Sequence, residues 1–446
     1  MNNSDHDDVG NSSSTYKWEE SSAQSMADCI HHEVRQMVAS SRLVRKTENV
    51  ALVSREELDF GALLGKGAFS EVHEVCVRKD RTRKRYAMKH LKHKLMSQPD
   101  NFRLAAAELA VEAHMLASFD HPNILKIQGW AANGVASFVE GSHDSFFLLL
   151  DCLDETLDSR IAKWKQNEDY LKQCLTASPS SVFDAWKYAM VTADDTASVS
   201  SAGLDATVLQ QLHQIQLDKL KVCGEIASAL SYLHDCGVIF RDLKPNNIGI
   251  LNGTVKLFDF GLSRELPGCD LVEPFEMSGK VGTLRYMAVE VASHQRYNVS
   301  ADVYSWAMVC YEVMTGEKPF AGWTREMHAD LVCARGMRPE TDGLDTNLRL
   351  MLHTCWDQNP LARPSMPAAY QQVRFMEEQQ LIVCMRNKQQ QQHVSAVQQQ
   401  QAAAVQLQQQ QNFLHQQQQQ QQLVQQQLVH QHLAQQQQQQ QQQRPV

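Results

Sequence analysis

The stretch Val238–Gly261, VIFRDLKPNNIGILNGTVKLFDFG, decides how this chain is read. It carries two short acidic motifs, FRDLKPNN and DFG, whose aspartates Asp242 and Asp259 lie seventeen residues apart. Between them sit two apolar runs, Ile248 to Ile250 and Val255 to Phe258, split by Asn252-Gly253. That pair tolerates the positive φ values of a tight primed turn, so the spacing predicts a two-stranded hairpin. Two carboxylates and the amide of Asn247 are then expected on loops at the ends of a rigid hairpin. Such an arrangement can hold a metal and a nucleophile against a polyphosphate.

Upstream, LDFGALLGKGAF, SEVHEVCVR and KRYAMKHL read as strands from Leu58 to Leu91, separated by glycine-rich or charged turns. The basic run Arg78 to Arg85 is expected as a solvated loop between two of them. Asn101 to Phe119 reads as a helix, HPNIL follows it, and Phe146 to Leu150 reads as a short buried strand. Residues from about 155 to 214 show no clean period. Their polar Ser/Ala-rich stretches suggest a surface insertion, partly unstructured. Order is expected again from Leu217 to Asp235, with Gly237 as C-terminal cap. Further helices are suggested by ADVYSWAMVCYEVMTG and NLRLMLHTCW.

The ordered motifs resemble the catalytic core of eukaryotic protein kinases, serine/threonine type with tyrosine-kinase-like features. Gly65-Lys66-Gly67-Ala68-Phe69-Ser70-Glu71-Val72 is similar to the glycine-rich loop, with Ser70 in place of its third glycine. Lys89 in Ala87-Met88-Lys89 matches the strand lysine that pairs with the α- and β-phosphates. Its helix partner is expected at Glu112, with Glu108 one turn earlier as the competitor. The resemblance makes Asp242 the base, sets Lys244 on the γ-phosphate, and gives Asn247 and Asp259 the magnesium. It further implies nucleotide contacts from Gly65, Lys66, Gly67 and Val72, and from Asp151 and Leu153 just after the apolar strand. ATP and Mg2+ are the implied cofactors, and proteins are the implied substrates.

Three departures stand out. Phe240 replaces the histidine that normally precedes Arg241, and it is expected to keep an apolar stack with Phe260 and Leu116. Val289 replaces the proline in Gly282-Thr283-Leu284-Arg285-Tyr286-Met287-Ala288-Val289-Glu290, while Glu290 can still pair with Arg363. Asp302 matches the aspartate that braces the catalytic loop, although a helix N-cap is an equally physical reading. Arg241 would meet a phosphate on the activation segment, with Ser278 as the favoured switch and Thr283 bonded to Asp242 and Lys244.

The resemblance implies an α+β, two-lobed fold with a small strand-rich N-lobe and a larger helical C-lobe. The expected organisation is a mostly disordered region at 1–49, a kinase domain at 50–378 and a low-complexity tail at 379–446. From Lys388 the tail is dominated by glutamine, which builds no packed core alone but can associate with itself. A helical tail with Leu407, Leu414, Leu428 and Val429 along a seam is disfavoured by their irregular spacing.

Composition narrows the classes. A net charge of −9 and a pI near 6.1 give no reason to expect nucleic-acid binding. The 11 cysteines show no C-x-x-C pair and read as reduced thiols. The start has no apolar h-region and no run approaches the length of a membrane span, so a soluble, cytoplasmic protein with no membrane partner is expected. The competing class is a pseudokinase acting as a nucleotide-binding scaffold or switch, motivated by Ser70, Phe240 and Val289.

Overall fold

The structure, a computed structural model, describes residues 19–43, 50–176, 203–266, 273–275, 277 and 282–442. The chain divides into two compact units, Met1–Gln380 and Leu381–Val446.

The first unit opens with helix α1 (Glu20–Ala39), followed by a six-stranded sheet of order β1-β5-β6-β4-β3-β2. Its strands are β1 (Ala51–Val53), β2 (Leu58–Lys66), β3 (Ser70–Val77), β4 (Arg85–Leu91), β5 (Ile127–Ala131) and β6 (Phe147–Asp151). All neighbours pair antiparallel except β1 with β5. The basic run beginning at Arg78 spans the turn between β3 and β4. Helix α2 (Pro99–Ser118) starts with a proline in its first turn, where the missing N–H costs nothing. Phe102, Ala105, Ala106, Leu109, Ala110, Ala113 and Leu116 bury the face it turns inward. Its alanines keep that face thin, so Glu112, buried among them, is carried close to the sheet.

The helical half holds α3 (Leu157–Thr176), α4 (Gly203–Asp235), α5 (Val289–Ala292), α6 (Ser300–Thr315), α7 (Thr346–Cys355) and α8 (Met366–Gln442). Helix α6 is buried on every side from Ala301 to Met314, which fits its nearly unbroken apolar sequence, and Gly316 ends it at φ 72°. Strand β7 (Glu155–Thr156) lies beside the hairpin of β9 (Ile248–Leu251) and β10 (Thr254–Leu257). Asn252 and Gly253 join that hairpin at φ 51° and 74°, the primed turn their sequence predicts. Strands β8 (Val238–Ile239) and β11 (Arg264–Glu265) form a separate antiparallel ribbon.

The expectation for 155–214 needs correction. Residues 157–176 form α3, and α4 begins at Gly203, well before Leu217. Leu157, Ile161, Trp164, Leu171 and Leu175 are all buried and recur at helical intervals. Two apolar stripes that pack together outweigh the polar residues between them. The central part of the expected insertion, 177–202, lies outside the described residues, as do 1–18.

The N-terminal expectation changes as well. Helix α1, from Glu20 to Ala39, lies inside the 1–49 stretch read as mostly disordered. The second unit, from Leu381, is helical through Gln442, so the helical reading of the tail is the one adopted. Glutamine is a fair helix former, and a helix needs no core to satisfy its own backbone. Leu407, Leu414, Leu428 and Val429 are exposed along it. The ten cysteines among the described residues are all free thiols, and no helix there is long and apolar enough to cross a membrane.

Four histidines gather on the sheet. His73 Nδ1 lies 2.9 Å from His90 Nε2 with the rings stacked, and His143 meets His90 and His93 edge-on. Burial pulls the pKa of His143 down from 6.5 to about 4; His90, His93 and Arg55 push the same way, and Asp144 opposes them. The folded protein therefore refuses a proton that the unfolded chain accepts below pH 6.5. This contribution to stability is present above that pH and is lost as pH falls towards 4. Thermal midpoints at pH 7 and pH 5 should differ less in His143→Gln than in the native protein. An equal drop in both would contradict this.

Candidate active site

Gly65 and Lys66 end β2, and Gly67-Ala68-Phe69 turn the chain into β3. Gly67 N donates to Ser70 O at 2.8 Å, which closes the loop tip. A Cβ at Gly67 would sit 2.9 Å from Ser70 Oγ, so a side chain at 67 would have to displace the hydroxyl of the serine in the third glycine position. Lys92 secures the loop from below, its Nζ donating to Gly67 O and, at 3.3 Å, to Ala68 O. Sequence reasoning missed this lysine, since nothing in the sequence separates it from any surface Lys. Val72 pairs with Lys89 across β3 and β4, which puts the loop and the lysine in one register.

Lys89 Nζ donates to both oxygens of Glu112, at 2.8 and 2.7 Å, and to Asp259 Oδ1 at 2.8 Å. Glu108 makes no such contact; it lies 4.0 Å from Arg264. Burial works against the charge on Lys89, but the two carboxylates override it and hold its pKa above the usual lysine value. Lys89 in turn holds Asp259 ionised below its ordinary range. Burial pushes Glu112 upward. Phe260 N donates to Glu112 Oε1 at 3.2 Å, so one helix carboxylate grips both the strand lysine and the DFG backbone. Asp259 takes a left-handed backbone at φ 65°, an uncommon conformation for a non-glycine residue that turns its side chain towards Lys89.

On the other side, Asp242 is buried, and its Oδ2 accepts from Lys244 Nζ at 2.6 Å and Asn247 Nδ2 at 2.9 Å. Asn247 Nδ2 also donates to Asp242 O. Thr283 Oγ1 donates to Asp242 Oδ1 at 3.3 Å. Gly282, at φ 103°, runs so close that a Cβ there would lie 2.8 Å from Arg241 O. Asp302 orients the loop: its Oδ2 accepts from Phe240 N at 2.8 Å and its Oδ1 from Arg241 N at 2.9 Å. The N-cap of α6 is Val299, so the capping alternative for Asp302 drops out.

Phe240 is buried, edge-on to Phe260 with centroids 5.1 Å apart, and Phe119 joins Phe260 at 5.3 Å. Leu116 is buried in the same core. Phe240→His should keep kcat within about tenfold, roughly 1.4 kcal/mol of barrier, because a flat ring still fills the edge-on contact. Phe240→Asp buries an unpaired charge and should abolish turnover. Steady-state assays of both variants check this, and an active Asp variant would contradict it.

Glu290 and Arg363 form a buried bidentate pair at 2.7 and 2.9 Å. Val289 sits at the first position of α5, where proline would also fit, so its substitution leaves the turn intact. Ser278 lies outside the described residues. The carboxylate of Asp151 is occupied by Lys84 at 3.1 Å and Gln128 at 3.0 Å, which turns it to the sheet surface. Leu153 packs beneath Gly249, where a Cβ would meet its side chain.

Among the described residues, no three His, Cys, Asp or Glu side chains cluster so as to hold a metal ion. Asn247 commits its amide nitrogen to Asp242, which leaves its oxygen as the donor atom, and Asp259 is a held carboxylate. Both are hard oxygen donors, the kind that suits Mg2+ shared with phosphates rather than caged by protein.

The family described as protein tyrosine and serine/threonine kinase matches residues 58–373. The chain belongs to that kinase family. A probable serine/threonine-protein kinase of Dictyostelium discoideum is 27% identical over 322 residues, which is 72% of this chain and 19% of the relative. The serine/threonine-protein kinase VIK of Arabidopsis thaliana is 38% identical over 161 residues, 34% of this chain and 36% of the relative. The dual specificity protein kinase shkC of Dictyostelium discoideum is 27% identical over 318 residues, 70% of this chain and 49% of the relative. The chain thus spans less than half the length of each. The kinase match begins at the first residue of β2 and ends early in α8, so α1 lies outside it.

Proposed function

We propose that the protein is an ATP-dependent kinase that transfers the γ-phosphate to serine or threonine hydroxyls of protein substrates. The observation that carries this reading is Lys89, charged and held between Glu112 and Asp259, on the strand next to the glycine-rich turn. In this reading the turn 65–67 covers the phosphates with backbone N–H groups, and Lys89 pairs with the α- and β-phosphates. Val72, Leu153 and the backbone at Asp151 border the nucleotide. Asn247 and Asp259 hold Mg2+, which neutralises charge on the phosphates.

The acceptor hydroxyl lies against Asp242, which aligns its oxygen with the γ-phosphorus and accepts its proton. The new O–P bond forms as the bond from phosphorus to the β,γ-bridging oxygen breaks, and ADP leaves with that electron pair. Lys244, already on Asp242, offsets charge on the transferring group. Thr283 beside Asp242 supports a short hydroxyl acceptor. The free thiols support a cytoplasmic setting.

Incubation with γ-labelled ATP, Mg2+ and mixed acceptor peptides, followed by phosphoamino-acid analysis, tests this. Label on serine and threonine is expected; label on tyrosine alone would overturn the specificity.

The glutamine-rich tail is proposed to mediate self-association, through Leu407, Leu414, Leu428 and Val429, which its helix leaves exposed. Removing 389–446 should leave kcat and the ATP KM within about twofold, a barrier change under 0.5 kcal/mol. Light scattering should show a smaller assembly. Lost turnover with unchanged assembly would make the tail an activating element instead.

A further inference from the structure

Helix α1 buries Ala23, Ala27, Ile30 and Val34, one stripe at helical spacing, and it packs against α2 and the turn at 134–140. Glu33 of α1 forms an ion pair with Arg103 of α2. Two residues beyond the end of α1, the chain reaches a different part of the molecule. Glu265 receives three donors there: Ser41 Oγ at 2.7 Å, Arg42 N at 2.8 Å and Arg42 Nε at 3.1 Å. Arg42 Nη2 donates to Leu266 O at 2.7 Å. Gly237, at φ 75°, makes room for that guanidinium, since a Cβ there would lie 3.2 Å from Arg42 Nη2.

What the two ends hold gives the contact its meaning. Helix α2 carries Glu112. Strand β11, which contains Glu265, pairs with β8, Glu265 opposite Val238 and Arg264 opposite Ile239. One residue past the end of β8, after Phe240, the chain reaches Arg241 and Asp242, and Asp259 stands six residues before Glu265. One segment of 24 residues, Glu20–Leu43, thereby connects the helix that carries Glu112, held at Arg103, to the ribbon flanked by both aspartates. An exposed ion pair by itself is worth little. Three donors on one carboxylate that is largely shielded from solvent define a geometry, and charge-assisted bonds of this kind are the strong ones. The segment lies outside the span shared with the kinase family, so the shared fold does not require it.

We propose that Glu20–Leu43 is an intramolecular clamp that keeps α2 and the start of the activation segment in the arrangement where Glu112 and Asp259 both reach Lys89. Ser41, Arg42 and Glu265 are its positioning residues. The inference rests on the kinase reading above and adds a means of control. Whatever lifts Ser41–Arg42 from Glu265 loosens α2, and with it the grip of Glu112 on Lys89. Phosphorylation of Ser41 would do so, because it sets a dianion against the Glu265 carboxylate.

The test uses the full-length chain in four forms: native, Arg42→Glu, Glu265→Arg and the double exchange. Each single variant sets like charges together and should lower kcat about tenfold or more, within the range usual for coupled sites. Amide hydrogen exchange across 99–118 should rise in each. The double exchange restores opposite charges and should bring both readouts back towards native. Should a single variant fail to fold, Ser41→Asp provides the same repulsion at a partly exposed position.

Folded single variants with native kcat and native exchange in α2 would overturn the clamp. So would a double exchange as impaired as the singles, since the effect would then not come from the pairing. Failure of the kinase reading looks different: the native chain would transfer no phosphate, while exchange in α2 would still report whether the clamp acts on that helix.

Discussion

Lys89→Met is expected to lower kcat by about three orders of magnitude or more, some 4 kcal/mol of barrier, while the protein stays folded. Methionine keeps the unbranched apolar stem of the side chain, one atom shorter, but removes the ammonium held between Glu112 and Asp259. Two carboxylates then face each other without a cation. Leaving a buried charge unpaired costs about 3–5 kcal/mol when nothing relieves it. Here Glu112 can take up a proton, because burial already pushes its pKa upward. The fold survives by that route, but phosphate positioning does not. Assays of kcat beside thermal unfolding check this; near-native turnover would remove Lys89 from the proposed chemistry.

Asp242→Asn is the second large effect, with kcat expected to fall by about 10²–10⁴, the usual worth of a positioned acid or base. The amide oxygen can still accept from Asn247, so the loop should keep its shape, and the ATP KM should change by less than about threefold, 0.7 kcal/mol or less. What disappears is the anion that aligns the hydroxyl, and Lys244 loses its counter-charge. Parallel loss of kcat and kcat/KM would mark an interaction made in the transition state. An Asn variant with native kcat would assign the base elsewhere.

Much of this was legible in the sequence because local rules act alone there. Asn252-Gly253 dictates a primed turn whatever surrounds it, and the apolar runs on either side then pair in one register. Glu112 against Glu108 could not be separated by periodicity, since both lie one turn apart on a similar face. Only the crossing of α2 over the sheet brings one of them to Lys89. Helices α3 and α1 were missed or misplaced for another reason. Their apolar stripes are diluted by polar residues, and each acquires its worth only from the partner that covers it, α4 for one and α2 for the other. Arg42 and Glu265 were invisible, because 223 residues separate two ordinary surface charges. The glutamine tail misled through composition: its residues build no core, yet a helix satisfies its own backbone without one.

The central claim is that Lys89, Asp242, Asn247 and Asp259 form a working phosphotransfer site despite Phe240 and Val289. The measurement that tests it most directly is transfer of labelled γ-phosphate from Mg-ATP to a serine acceptor by the native full-length chain, beside Asp242→Asn. The account predicts steady turnover by the native protein and near-background label with the variant. ATP binding without transfer by the native protein would contradict it and leave a nucleotide-binding scaffold in its place.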